Sequence, residues 1–383
     1  MKRLLNIYNK SSRIVLGLMS GTSHDGVDAA IAKITRSSLD SKVRLIHHEH
    51  SSYPSTLKNR IAAASDSKAS DICMMNFEIG DFFAKAALSC ISGSGLSSGD
   101  IDLIASHGQT IYHSPPELNR RGFTLQIGES SIIAYKTGIP VVSDFRPADM
   151  ARNGHGAPLV PFADYILFHK KGKVRAAQNI GGIANVTVVT PGINEVFAFD
   201  TGPGNSLING AMHLLFKKSY DKNGMIARSG EPDSSILKEL MAHPYFSKKP
   251  PKSTGRETFG LNLINTIASR KRIRPEDLIA TLTYFTALSI KNAYDRFILK
   301  KYKLSEIILS GGGSRNSYLV SLLKELFNPI LVATSDSYGI PAMAKEALCF
   351  AILANETISG RPSNLPQVTG ASGSAILGKI TLH

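Results

Sequence analysis

Residues 17–30 read GLMSGTSHDGVDAA and lie between two apolar runs, residues 14–16 and 27–31. That order confines the stretch to a strand, a small-residue turn and a second strand. Glycine lets the backbone approach a ligand closely, and serine and threonine hydroxyls add donors to the backbone amides, so such a turn can wrap an anion. An ordinary hairpin turn has the same letters. Asp25 and Asp28 would repel a phosphate directly, so they make sense beside one if a divalent cation lies between. No GK[ST] follows, which separates the stretch from the P-loop pattern.

At 383 residues the chain is longer than one core normally supports, so two domains are expected. No apolar run approaches the roughly 18 to 20 residues needed to span a bilayer. The N-terminal MKRLLNIYNKSSR is too short in its apolar part for a signal peptide, and the protein reads as soluble and cytoplasmic. Cys73, Cys90 and Cys349 fall in apolar helical patterns without CxxC spacing, which points to reduced core cysteines. The formal charge of +14 comes from lysines and arginines scattered in pairs and triplets, without an interleaved aromatic stripe. Neither a nucleic-acid partner nor a membrane is expected from that pattern; a generally basic proteome or an anionic small substrate accounts for it.

The rest of the chain alternates strand and helix patterns. VRLIHHEH (residues 43–50) is a strand, and Ile72, Met75, Ile79, Phe82, Phe83 and Ala86 form one apolar face of a helix. The strand at residues 101–105 ends in SHGQT, placing His107 and Gln109 where open α/β sheets hold ligands, although a strand-end histidine also serves structure alone. A further strand empties into SDFRPADMARNGHGAPLVP, with Asp144, Arg146 and Asp149 in one turn-rich segment, a spacing that also suits a local ion pair. At residues 174–189 the opening plan returns: an apolar run, a turn with Asn179, Gly181 and Gly182, then a β-branched run. Next, EVFAFDTGPGNSLING ends a strand in Asp200, Gly202, Gly204 and Asn205. Two hairpins of one plan suggest a duplicated fold closing on one ligand. Residues 217–260 read as a polar surface excursion ending in PPKSTGRETFG. A later strand opens into SGGGSRN, where Gly311, Gly312 and Gly313 permit a flat ligand to lie on the backbone.

Taken in order, GLMSGTSHDGVD, SHGQT, TLQIGE, DFRPADMARNGHGAPLVP, NIGGIANVT, FDTGPGN, PKSTGRE, SGGGSRN and PSNLPQVTGA closely resemble the signature segments of the anhydro-N-acetylmuramic acid kinase family, from Gly17 to the C-terminus. The resemblance implies an α/β, two-domain actin-like ATPase fold of the sugar kinase, actin and heat-shock chaperone superfamily. Each domain would carry a mixed β-sheet core, with ATP in an interdomain cleft. The domains expected are residues 1–171 with 364–383, and residues 172–363. The implied reaction uses Mg²⁺ and ATP to convert 1,6-anhydro-N-acetylmuramic acid to N-acetylmuramic acid 6-phosphate in peptidoglycan recycling. Water adds at the anomeric carbon while O6, released from the anhydro bridge, takes the γ-phosphoryl group. That chemistry needs a carboxylate base, which by resemblance lies in DFRPADM, with Asp149 favoured over Asp144.

By the same resemblance Gly21, Thr22, Ser23, His24, Asp25, Gly26, Val27 and Asp28 bind the phosphates, and Asp25 holds Mg²⁺ through water. NIGGIAN supplies the matching turn, with Asp200, Gly202, Gly204 and Asn205 also on the nucleotide, and SGGGSRN the nucleoside contact. His107, Gln109, Arg146, Arg256 and Glu346 are candidates for holding the sugar or its lactyl carboxylate, and relatives suggest a homodimer. The chain departs from the family's usual letters at Asn153 and His155 (NGHGAPL for GGQGAPL), at His24 and at Met343. The alternatives are a kinase of the same superfamily acting on another amino sugar without ring opening, an ATP-gated binding protein, and a basic nucleic-acid binder.

Overall fold

The computed structural model describes residues 2–21, 24–118, 120–255, 257–270 and 273–383. The chain divides into two units, the first containing residues up to 167 and residues 344–383, the second residues 168–343.

In the first unit, β1 (Ser12–Ser20), β2 (Gly26–Thr35) and β3 (Lys42–Ser52) form an antiparallel meander. β4 (Leu103–Ser114) then runs parallel to β1, and β6 (Val141–Ser143) parallel to β4. β5 (Phe123–Ile127) pairs with the outer part of β4, and Lys379–Thr381 closes the far edge against β6. Because side chains alternate along a strand, Leu16 and Leu18 share a face, and they pack with Met75, Ile79 and Phe83 of the helix Ala69–Gly93. Full burial of such side chains stabilises the fold by about 1.5–3 kcal/mol each. Gly17 points to the opposite face, beside its cross-strand neighbour Ala30. A Cβ on Gly17 would lie 1.9 Å from the carbonyl oxygen of Ala347, so the helix Lys345–Ile358 docks there at backbone distance.

The second unit repeats the plan. β7 (Val174–Ile180), β8 (Ile183–Val189) and β9 (Phe197–Pro203) are antiparallel, while β10 (Leu304–Ser310) and β11 (Leu331–Thr334) join in parallel. The sheet orders are β3-β2-β1-β4-β6 and β9-β8-β7-β10-β11, the same order with the same strand directions. This duplicated mixed sheet is the duplication expected from the two hairpins and the actin-like α/β arrangement implied by the family resemblance.

Several readings change. The helix Lys345–Ile358, assigned from sequence to the second domain, packs on β1, β2 and β4 and belongs to the first unit. Residues 217–260 are not a surface excursion, since Ile236, Leu240, Tyr245, Phe246 and Phe259 form a core with Leu278, Leu282 and Phe285 of the helix Pro275–Phe297. Frequent lysines, serines, glycines and prolines in that segment mask its spaced apolar residues. Cys73 is exposed, whereas Cys90 and Cys349 are buried. No helix among the described residues is long and apolar enough to cross a membrane.

Candidate active site

The turn after β1 is built around Ser20, whose Oγ lies 2.8 Å from Gly26 O and 2.7 Å from Gln109 Oε1 and accepts from Tyr53 OH at 3.1 Å. Gln109 is fully buried, so its amide orders this turn, and the sugar-contact role expected for it is not where the fold places it. Thr22 and Ser23 lie outside the described residues. Gly21 and His24 close the turn through a hydrogen bond from His24 N to Gly21 O, and His24 adopts a left-handed φ of 55°. Val27 is fully buried in the core, so only its backbone borders the turn, where Gly26 and Asp28 pair with β3. Asp25 is exposed, while Asp28 is half-buried, with Oδ1 2.8 Å from Nδ1 of His50. That bond to Asp28 is the main cause raising the His50 pKa.

At the carboxyl end of the parallel strands, His107 is 3% exposed, with Nδ1 2.9 Å from Gly108 O and Nε2 facing Arg146. Burial, then the Arg146 charge, push its pKa down to about 3. Burial likewise lowers Arg146 to about 10, against the pull of Glu346 and Asp149. Arg146 Nη1 donates to Gly156 O at 2.7 Å. Glu346 is half-buried, and burial raises its pKa, with Lys345 opposing and Asp28 adding to the rise.

The two aspartates of DFRPADM part company. Asp149, on the short helix Phe145–Met150, has no exposed surface. Its Oδ2 accepts from Gly156 N at 2.8 Å, and its Oδ1 from Asn364 Nδ2 at 2.8 Å and Thr369 Oγ1 at 2.7 Å. Asp144 instead terminates β6 with a left-handed φ of 52°, and its half-buried carboxylate meets Lys379 Nζ at 2.9 Å. Asn153 takes a left-handed φ of 59°, a conformation asparagine tolerates, which reconciles it with the family's glycine there.

Asp144 and Ser143 border a cavity of about 450 Å³ that runs past Ser106, His107 and Gly108 to the start of the 69–93 helix. Asn76 of that helix fixes the TLQIGE loop, accepting from Gly128 N at 2.7 Å and donating to Glu129 Oε2 at 3.1 Å. TLQIGE and PSNLPQVTGA stand among the ordered motifs, but the sequence alone assigns no task to Glu129, Asn364 or Thr369. Nor does it single out Ser106. The signal available was their place in the ordered motifs.

In the second unit the glycine motifs interlock. The amides of Gly204, Asn205 and Ser206 donate to the carbonyls of Gly181 and Gly182, and a Cβ on Gly204 would lie 2.3 Å from Gly181 O. Gly311 and Gly313 press on Asn179 and Ile180, and Gly202 on Ser289. Gly312 opens outward, with Asn205, Ile208 and Arg315, on a cavity of about 260 Å³ that Met343 also borders. Asp200 accepts from Thr254 N at 2.9 Å, tying PKSTGRE to β9, and burial raises its pKa to about 6. Arg256 lies outside the described residues. Among the described residues no group of three or more His, Cys, Asp or Glu is arranged to hold a metal ion.

The profile of the family "Anhydro-N-acetylmuramic acid kinase" matches residues 13–383. A protein of that name from Caldanaerobacter subterraneus subsp. tengcongensis is 46% identical, with 100% of both chains covered. One from Francisella tularensis subsp. novicida is 45% identical over 95% of this chain and 97% of its own. One from Clostridioides difficile is 44% identical over 96% and 97%. This chain therefore belongs to the anhydro-N-acetylmuramic acid kinase family, a family of sugar kinases.

Proposed function

We propose that this chain transfers the γ-phosphoryl group of ATP to O6 of 1,6-anhydro-N-acetylmuramic acid while water opens the anhydro bridge, giving N-acetylmuramic acid 6-phosphate and ADP. The names of its full-length relatives support the reaction. The observation that carries the site is the 450 Å³ cavity with Asp144 on its border, at the carboxyl end of a parallel strand.

Asp144 is the residue we propose as base, in place of Asp149. A base must reach a water molecule. The Asp149 carboxylate is fully enclosed and already accepts from three donors, whereas Asp144 is half-buried and borders the cavity. Asp144 takes the proton of the water that attacks the anomeric carbon. His107, neutral and fixed by Arg146, shapes the cavity wall beside it.

The turn from Gly21 to Asp28 is proposed to take the phosphates. Its small residues fit an anion, and exposed Asp25 can hold a hydrated cation. The 260 Å³ cavity beside Gly312 and Asn205 is proposed for the nucleoside, since Gly312 leaves the backbone bare there. When bound, ATP supplies the phosphoryl group and Mg²⁺ offsets its charge.

Purified protein with ATP should release ADP in proportion to anhydro sugar consumed. Phosphorylation of N-acetylglucosamine with no turnover of the anhydro sugar would overturn this reading in favour of a plain amino-sugar kinase.

A further inference from the structure

Ser106 lies on β4 among the residues that line the 450 Å³ cavity; 1% of its surface is exposed, and its hydroxyl makes no hydrogen bond within the protein. A buried hydroxyl without a partner costs stability, so one retained at the wall of a cavity points to a group that arrives from outside. The rest of the lining narrows what that group is. Ile72, Leu125 and Ile127 offer apolar surface, the carboxylates present are those of Glu129 and Asp144, and no lysine or arginine is among the lining residues. An anionic substituent, such as a lactyl carboxylate, would meet two carboxylates, and Lys379, outside the lining, is already paired with Asp144. A neutral acetamido group fits all three features: a methyl for the apolar wall, an N–H for the acidic side, and a carbonyl to accept from Ser106.

We infer that Ser106 is a specificity-determining contact for the acetamido group of a 2-acetamido sugar, the lactyl carboxylate lying outside this cavity. This rests on the proposed sugar-kinase reading and goes further by assigning one substituent to one hydroxyl.

Steady-state kinetics of wild type and Ser106→Ala, with 1,6-anhydro-N-acetylmuramic acid and with its de-N-acetylated 2-amino analogue, test it. Loss of one neutral hydrogen bond should raise KM for the acetylated sugar roughly three- to tenfold with kcat little changed, and leave KM for the amino analogue unmoved. The free variant should be as stable as wild type or more so, because the hydroxyl has no partner to lose. An unchanged KM for the acetylated sugar, equal effects on both sugars, or a lowered thermal midpoint would each overturn the assignment.

Cys73 gives a second readout. It lines the same cavity and is exposed, while Cys90 and Cys349 are buried, so maleimide labelling reports on this site. The acetylated sugar should protect Cys73 at lower concentration in wild type than in Ser106→Ala. Turnover without protection would remove the sugar from this cavity while leaving the reaction standing. Should wild type not turn the anhydro sugar over, the proposed reaction falls. Protection of Cys73 by N-acetylglucosamine, weakened in the variant, would then still support the acetamido site, and its absence would sink it.

Discussion

Arg146 donates from both Nε, at 3.2 Å, and Nη2, at 2.8 Å, to Nε2 of His107. Nε2 must therefore be the acceptor nitrogen, with the ring proton on Nδ1 donated to Gly108 O. The imidazole is neutral, and a second proton would place a cation against a guanidinium in a buried site. Burial, and then the Arg146 charge, therefore bring its pKa down to about 3, far below the usual histidine range.

An acid-stability prediction follows from the sign of that shift. Between about pH 3 and pH 6.5 the unfolded chain binds a proton at this histidine that the folded chain does not, so stability is present above this window and lost as pH falls through it. By pH 5 His107 alone should account for about 2 kcal/mol. His113, lowered to about 4 chiefly by burial, acts in the same direction. Urea unfolding at pH 7 and pH 5 should show a smaller loss for His107→Gln, which keeps an acceptor for Arg146 but does not titrate. Equal losses would show that His107 is not the group responsible.

Asp144 and Asp149 should give opposite signatures. Asp144→Asn should lower kcat by about 10² to 10⁴ with the thermal midpoint near that of wild type. Asp149→Asn places an amide against the donors of Gly156, Asn364 and Thr369 and should cost about 2–4 kcal/mol of stability. Its activity should follow the fraction folded. If Asp149→Asn were stable and inactive while Asp144→Asn turned over normally, the base would be Asp149.

The sequence made the duplicated hairpin, the strand-end histidine and the glycine motifs legible, because each is written in local spacing. It did not separate Asp144 from Asp149. That distinction depends on Asn364 and Thr369, more than 200 positions away, closing on one carboxylate and leaving the other open. Val27 and Gln109 lie inside motifs whose letters suggest ligand contacts, yet burial assigns their side chains to the core and to the turn. The domain crossing after Met343 was missed for a similar reason. The 345–358 helix is apolar on nearly every side, and only Gly17, far back in the chain, reveals which sheet it covers.

Gly17 is accordingly predicted to be a packing position, although it opens the proposed phosphate motif. Gly17→Ala would drive a Cβ to 1.9 Å from the Ala347 carbonyl, a backbone atom that yields only if the helix moves. A loss of about 1–3 kcal/mol is expected, read by thermal or urea unfolding of the nucleotide-free protein. A variant as stable as wild type, but weak for ATP, would instead make Gly17 part of the ligand site.

Lys345 and Asp164 form an ion pair at 2.5 Å with both side chains 2% exposed. Two charges removed from water attract strongly but have lost their hydration, so removing one alone is far worse than removing both. Lys345→Met should cost about 3–5 kcal/mol by removing the cation that faces the buried Asp164 carboxylate, whereas Lys345→Met with Asp164→Leu should recover much of that loss. The pair also acts on Glu346, whose pKa burial raises and Lys345 opposes. In the double variant both charges are gone: Lys345 no longer lowers the Glu346 pKa and Asp164 no longer raises it. As Lys345 is the larger influence, the pKa of Glu346 should rise further. If Glu346 must be ionised for turnover, the acidic limb of the kcat/KM profile should move to higher pH in the double variant. An unmoved limb in a folded double variant would exclude Glu346 ionisation from setting that limb.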